Sequence, residues 1–218
     1  LAARRDEIIF TSGATEANNM AILGLLQYGQ ATGRKHLIST AIEHKAVLEP
    51  LAMLQQQGFE LELLPVDQSG RLHPDSLAAA LRPDTLLVST MQVNNETGVS
   101  QPLPELSALL ADHPALWHLD AAQGFGKDIR PLQDKRIDLI SISGHKIYGP
   151  KGIGALMVRR RDNSFPPLTP LMYGGGQEQG LRPGTLPVML IAGLGEAVKL
   201  SQRNWQERRE YCLAFRER

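Results

Sequence analysis

The run Asp138-Leu139-Ile140-Ser141-Ile142-Ser143-Gly144-His145-Lys146 joins an apolar stretch to a hydroxyl, an imidazole and an amine. The apolar residues have the length of a buried strand, and the polar residues follow where that strand ends. In an open α/β sheet, ligands bind at the carboxyl ends of the strands. The amine of Lys146 is therefore predicted to lie in a ligand site, where it can bond covalently to a carbonyl compound.

The rest of the chain repeats this alternation of strand and helix. Strands are predicted at Ile8–Thr11, His36–Thr40, Leu61–Val66, Thr85–Met91, Leu116–Asp120, Leu139–Ser143 and Ala155–Val158. Helices are predicted at Thr15–Gln30, Lys45–Gln57, Pro74–Leu81, Pro102–Ala111 and along a long C-terminal segment. Most strands are apolar on successive residues, which is typical of a sheet with both faces covered. We expect an α/β fold, a doubly wound and mostly parallel sheet of about seven strands with helices on both faces.

The composition argues against several classes of partner. The 218 residues carry 23 basic and 23 acidic side chains, so no charge excess points to nucleic acid. The apolar stretches are too short to span a membrane, and the N-terminus lacks the apolar core of a signal peptide. The single cysteine rules out an internal disulfide and is typical of a reducing compartment. We expect a cytoplasmic chain with neither nucleic-acid nor membrane partners.

A second polar side chain, Asp120, ends the predicted strand Leu116–Asp120. An aspartate beside a pyridine nitrogen keeps that nitrogen protonated, and the protonated ring then accepts electrons. A lysine for the aldehyde and an aspartate for the ring nitrogen are the two protein groups that pyridoxal 5'-phosphate (PLP) needs. Gln123, about one helical turn later, could reach the phenolic oxygen of the ring. The alternative is that Asp120 only caps the following helix.

Other candidates also follow strands. Ala14 and Thr15 open the first helix, where free N–H groups could hold a phosphate or merely form an ordinary N-terminal cap. His44 could stack on an aromatic cofactor and move protons, or be a surface or capping histidine. The run 91–98 offers carboxamides for a phenolic oxygen or a substrate carboxylate, or forms an Asn-rich turn.

Ser143 and His145 flank Lys146 and could bind the phosphate, whereas the alternative is a surface lysine loop. Five polar groups at the ends of five strands favour a single crevice that gathers them. The loop Leu181-Arg182-Pro183-Gly184-Thr185 cannot be placed by pattern, and could fold over its own site or reach across a dimer.

Taken in order, these motifs resemble those of class V aminotransferase-fold enzymes, and in particular cysteine desulfurases of the NifS-like kind. The matching segments are Ser12–Glu16, Glu43–Leu48, Val93–Gly98, Asp120–Gln123, Ser143–Gly152 and Gly174–Glu178, with Arg182, Gly184 and Thr185. The resemblance covers essentially the whole chain and implies that residues 1–218 form a single PLP-binding domain, the large domain of fold type I.

The resemblance also implies a role for each candidate. Lys146 would hold PLP and move the Cα proton, with His44 stacking on the ring and assisting. Asp120 would pair with the ring nitrogen, Gln123 with the phenolic oxygen, and Asn95 would lie near that oxygen and the substrate. The phosphate would be held by Ala14, Thr15, Ser143 and His145, and by Thr185 from the second subunit of a homodimer. The implied reaction converts L-cysteine to L-alanine and passes the sulfur as a persulfide to iron–sulfur scaffold or sulfur-relay proteins.

Against the family that it resembles, the chain is expected to be truncated at both ends, with a short N-terminal segment and a C-terminal domain missing. Family members carry the nucleophilic cysteine in a smaller C-terminal domain, which this chain lacks. Its only thiol, Cys212, falls on an apolar stripe of the last helix with Ile191, Val198 and Trp205, where we expect it to be buried and inert. The chain is therefore expected to be incomplete for turnover. The alternatives are another class V enzyme, such as a selenocysteine lyase or aminotransferase, or a non-catalytic dimerising fragment.

Overall fold

A computed structural model, which describes residues 1–161 and 163–216, forms one seven-stranded sheet. The strands are β1 (Ile8–Thr11), β2 (His36–Thr40), β3 (Glu60–Leu64), β4 (Thr85–Met91), β5 (Leu116–Asp120), β6 (Leu139–Ser143) and β7 (Gly154–Val158). Their order is β1-β7-β6-β5-β4-β2-β3. Strand β7 pairs antiparallel with both β1 and β6, and the other neighbouring strands pair parallel, so the predicted mostly parallel sheet is confirmed.

The helices are α1 (Ala14–Leu23), α2 (Leu26–Thr32), α3 (Lys45–Gln56), α4 (Pro74–Ala80), α5 (Leu103–Leu110) and α6 (Val188–Arg216). The prediction of one helix over Thr15–Gln30 is wrong, because the chain breaks between α1 and α2 at Gly24. The carbonyl oxygen of Gly24 accepts hydrogen bonds from the backbone N–H and the hydroxyl of Thr169. A segment distant in sequence thus takes the acceptor that would continue the helix.

Helices cover both faces of the sheet. The side chains of Ile38 and Ile140 belong to one core cluster, which α4, α5 and the start of α6 complete. The adjacent residues Leu37 and Leu139 point to the opposite face, where α1 and α3 pack. This alternation is the two-residue period of a strand, with both faces apolar because both are buried.

Helix α6 packs on the sheet only along its first half. Its buried residues are Leu194, Ala197 and Ser201. Further along, the Arg130 guanidinium lies 5.7 Å from the centre of the Trp205 ring, and Cys212 is exposed. The expectation that Cys212 is buried on an apolar stripe is wrong for this structure, because the last buried residue of α6, Ser201, lies about three helical turns before it.

Candidate active site

A cavity of about 510 Å³ opens at the carboxyl ends of the parallel strands. Its walls come from the segments that follow β1, β2, β4, β5 and β6, so residues distant in sequence converge there. Such a position follows from topology, because parallel strands all end at the same edge of a sheet. The volume lies in the range of small-molecule sites.

Nine of the ten residues that we selected from the sequence line this cavity. They are Ala14, Thr15, His44, Asn95, Asp120, Gln123, Ser143, His145 and Lys146. Thr185 does not line it and is exposed. The loop of Thr185 is nevertheless anchored near the cavity, since Arg182 Nε donates to Glu16 Oε1 at 2.9 Å while the Ser12 N–H donates to Glu16 Oε2 at 2.6 Å.

Asp120 is a buried carboxyl group, 7% exposed, at the end of β5. Its Oδ1 accepts from the backbone N–H of Ala122 at 2.9 Å. The segment that follows is a turn and not a helix, so the alternative that Asp120 caps a helix is wrong. Burial raises the pKa of Asp120, while the Ala122 and Asn18 hydrogen bonds and the positive charges of His44 and Lys146 oppose that rise. A cationic partner inside the cavity would therefore favour the ionised form.

Asn18 is a cavity residue that the sequence analysis missed. Its Nδ2 donates to Asp120 Oδ2 at 2.8 Å, and its side chain is almost fully buried. Two signals were available: asparagine is unfavourable inside a helix, and Asn18 lies one turn after Ala14, on the face that the predicted phosphate site uses.

Lys146 lies in a 3₁₀ turn, Gly144–Ile147, directly after β6. Two backbone hydrogen bonds hold this turn in place. The Gly144 N–H donates to the carbonyl of Ile153, and the Gly149 N–H donates to the carbonyl of Gly144. Beside it, Ser143 Oγ and His145 Nδ1 are hydrogen-bonded at 3.0 Å. The Lys146 amine itself is exposed to the cavity and makes no ion pair with the residues that the structure describes.

The amide of Gln123 has a defined orientation. Lys127 Nζ donates to Gln123 Oε1 at 3.0 Å, so the amide NH₂ remains available as a donor. Partial burial lowers the pKa of Lys127, and the nearby positive charge of Lys146 lowers it further. The arrangement can present an N–H to an oxygen in the cavity.

The loops that follow β2 and β4 line the cavity, and their polar side chains also hydrogen-bond within their own loops. His44 Nδ1 accepts from the Ala46 N–H at 3.0 Å, so this histidine caps α3 and lines the cavity as well. Asn94 Oδ1 accepts from the N–H groups of Glu96 and Thr97, each at 2.9 Å. The Asn-rich turn that was the alternative for this run therefore exists, and it places the neighbouring Asn95 at the cavity wall.

Two classes of feature are not found in residues 1–161 and 163–216. No group of three or more His, Cys, Asp or Glu side chains is arranged to hold a metal ion there. Within the same residues, no helix has the length and hydropathy needed to cross a membrane.

Comparisons with known proteins agree with this arrangement. The Aminotransferase class-V family matches residues 1–211. A mitochondrial cysteine desulfurase of Candida albicans is 52% identical over 197 residues, which are 90% of this chain and 40% of that protein. DndA from Streptomyces lividans is 57% identical with a TM-score of 0.92, covering 94% of this chain and 58% of that one. SspA in complex with cysteine is 46% identical with a TM-score of 0.83, covering 91% and 56%.

This chain spans about 40% of the length of the curated relatives that it matches. The match to the family nevertheless runs from the first strand into α6 and includes every segment that lines the cavity. The chain belongs to the class-V aminotransferase family.

Proposed function

We propose that this chain is the cofactor-binding part of a PLP-dependent cysteine desulfurase, which converts L-cysteine to L-alanine and passes on the sulfur. The observation that carries the proposal is the presence of Lys146 and Asp120 in one cavity of suitable size. Relatives named cysteine desulfurase, about half identical over nine-tenths of this chain, support the reaction class.

The residues present fit PLP. The buried carboxyl group of Asp120 accepts hydrogen bonds from two neutral donors, Asn18 and Ala122. Burial raises its pKa, and a protonated ring nitrogen would be a positively charged partner that favours the ionised form. Helix α1 begins at the cavity with Ala14 and Thr15, whose first-turn N–H groups suit a phosphate. Ala46 and Ala122 also line the cavity, and their small side chains leave room for a flat ring.

Bound PLP supplies a ring that accepts the electrons left on an amino acid when its Cα proton departs. Lys146 would hold the cofactor through its amine and then carry the Cα proton of the substrate, with His44 stacking on the ring and assisting the proton transfer. Asp120 would keep the ring nitrogen protonated, and the NH₂ of Gln123 would donate to the phenolic oxygen, near which Asn95 would also lie. Ser143 and His145 would complete the phosphate site with Ala14 and Thr15.

The proposal includes a thiol supplied from outside these 218 residues, in a smaller domain or by a partner. Cys212 is the only cysteine of the chain, and it does not line the cavity. L-cysteine is proposed as the substrate because the structure of the relative SspA is that of its complex with cysteine. Residues 1–218 would then serve as the PLP-binding domain alone.

The remaining parts of the proposal concern assembly. We propose a homodimer in which Thr185, exposed and outside its own cavity, contacts the phosphate of the partner subunit. Iron–sulfur scaffold or sulfur-relay proteins would receive the sulfur. The single cysteine favours a reducing compartment, for which we propose the cytoplasm, although curated relatives include mitochondrial proteins.

Trapping the lysine–cofactor bond tests the central claim. The purified chain is mixed with PLP, reduced with borohydride, digested and mapped by mass spectrometry. We expect the modification at Lys146, and we expect Lys146→Ala to lose it together with the visible absorption of the lysine-bound cofactor. Lys135→Ala and Lys199→Ala, at lysines that do not line the cavity, are matched controls that keep both. Modification at Lys127 or Lys151 in place of Lys146, or none at all, would contradict the proposal.

A second measurement separates the reaction classes. The PLP-loaded chain is titrated with L-cysteine, L-selenocysteine and L-alanine while the visible spectrum is recorded. A response to cysteine supports the proposed substrate, whereas a response confined to selenocysteine favours a selenocysteine lyase. A chain that dimerises and shows no PLP binding would indicate the non-catalytic alternative.

A further inference from the structure

We infer that Glu43 is a positioning residue, which clamps the loop carrying His44 to the end of β4 and thereby sets the His44 ring in the cavity. The inference rests on the proposed function, since the cavity matters only if it holds a ligand. The mechanism described above gives Glu43 no task, although it is a buried, titratable side chain directly beside a cavity residue.

The first observation is the geometry of the Glu43 carboxyl group. Its side chain is 5% exposed, and its Oε1 accepts from the hydroxyl of Thr40 at 2.6 Å and from the backbone N–H of Met91 at 2.9 Å. Thr40 ends β2 and Met91 ends β4, so one oxygen joins two neighbouring strands where both stop. Met91 itself lines the cavity.

The second observation is a parallel contact one residue earlier. Asn94 Nδ2 donates to the carbonyl of Ile42 at 3.2 Å, while its Oδ1 shapes the turn that carries Asn95. Consecutive residues of the His44 loop are thus attached to neighbouring points, Glu43 to the last residue of β4 and Ile42 to the segment that follows it. Two attachments hold a short loop in one orientation, which a single one would not.

The third observation concerns charge. Burial raises the pKa of Glu43 to about 8, and the nearby negative charge of Asp120 acts in the same direction. Its Oε2 is buried and has no hydrogen-bond partner among the residues that the structure describes. The neutral acid fits these surroundings, because Oε2 can carry the proton while Oε1 remains an acceptor for Thr40 and Met91.

These observations favour a positioning role over simple packing. A buried carboxyl group costs free energy that an apolar side chain of similar volume would avoid. The hydrogen bonds of its side chain go only to the ends of β2 and β4, among the residues that the structure describes. A glutamine should replace the neutral acid well, because its carbonyl oxygen can occupy the place of Oε1.

The test compares Glu43→Gln with Glu43→Met, which keeps the volume and removes the acceptor. Hydrogen–deuterium exchange of the Met91 amide is measured without PLP, and visible circular dichroism, which reports ring orientation, is measured with it. We expect at least tenfold faster exchange and altered dichroism in Glu43→Met, with both restored in Glu43→Gln. An exposed control, Glu105→Met, should match the unsubstituted chain.

Each outcome bears on a separate claim. Unchanged exchange and dichroism in Glu43→Met, or equal damage in Glu43→Gln, would overturn the positioning role. If the unsubstituted chain binds no PLP, the proposed function fails, while the exchange experiment still tests the clamp. Should Glu43→Met not fold, Thr40→Val removes one of the two donors and should give a smaller change in the same direction; no change would again overturn the inference.

Discussion

Single residues set the electrostatics at the floor of the cavity. The carboxyl group of Asp120 is buried, yet each of its oxygens accepts one hydrogen bond from a neutral donor, Asn18 or Ala122. Neutral donors orient a carboxylate without cancelling its charge, so the negative charge remains for a ligand in the cavity. The arrangement also makes Asp120 sensitive to the loss of either donor.

Replacing Asn18 tests this dependence. Asn18→Ala leaves Asp120 Oδ2 buried without its donor, and we expect the free energy of unfolding to fall by about 1–3 kcal/mol. PLP should also bind more weakly, because the carboxylate is less favoured. Asn19→Ala is the control, since Asn19 is next in the helix and its hydrogen bond to Thr15 is exposed. Urea denaturation and PLP titration of both variants measure the difference; equal effects would exclude a special role for Asn18.

Glu43 predicts a dependence of stability on pH. Its pKa rises from 4.5 when unfolded to about 8 when folded. Between these values the folded chain binds more protons, so this contribution to stability is complete below pH 4.5 and is lost as pH rises toward 8. Glu43→Gln lacks the titrating proton, so its stability relative to the unsubstituted chain should increase across that window, by several kcal/mol at most. Denaturation at pH 5, 6.5 and 8 measures this; a constant difference would contradict it.

At the scale of elements, β7 approaches the start of α1 closely, at the end of the cavity where we propose that the phosphate binds. A Cβ atom at Gly154 would lie 2.6 Å from the Cα of Gly13 and 2.5 Å from the carbonyl oxygen of Ile142. Both neighbours are backbone atoms, which cannot rotate away as a side chain can. The conformation of the loop that precedes α1 therefore requires a residue without a Cβ atom at position 154 of β7.

Gly154→Ala should accordingly displace the start of α1. We expect a loss of about 1–3 kcal/mol in the free energy of unfolding, as for other overpacked positions, together with weaker phosphate binding. The matched control is Gly195→Ala in α6, where an added Cβ meets nothing within 4 Å. The control should gain about 1 kcal/mol, because alanine is the better helix former. Chemical denaturation measures the free energy of unfolding of both variants. A change of the same sign in the two would contradict the prediction.

At the scale of the whole molecule, ligand binding should be linked to folding. The cavity walls come from the ends of five strands, so the site exists only when the sheet is assembled. A ligand that binds only the folded chain stabilises it by an amount set by its concentration relative to Kd. Stability thus reports binding without any measurement of turnover.

PLP at one hundred times its Kd should raise the free energy of unfolding by about 2.7 kcal/mol. Pyridoxal at the same concentration, which lacks the phosphate, should stabilise less. Asp120→Ala should reduce the gain from PLP, because the ring nitrogen loses its anionic partner. Urea denaturation over a series of concentrations gives these values. Equal stabilisation by both compounds would contradict the assignment of a phosphate site at α1.

The sequence by itself determined the order of strands and helices and the set of residues at the strand ends. Five strands have the predicted bounds, and nine predicted residues share one cavity, because parallel strands carry their carboxyl ends to a common edge whatever fills the loops. Local patterns suffice for that inference, since strand length and turn chemistry are local properties.

Only the tertiary structure decided which side chains support the site. Asn18 and Asp120 are 102 residues apart in the sequence, and Glu43 and Met91 are 48 apart. No periodic sequence pattern indicates that either pair forms a hydrogen bond. The break at Gly24 depends on Thr169, and the exposure of Cys212 depends on where the partners of α6 end. Such contacts arise from packing between distant segments, so the physical reason for them is absent from any local stretch of the chain.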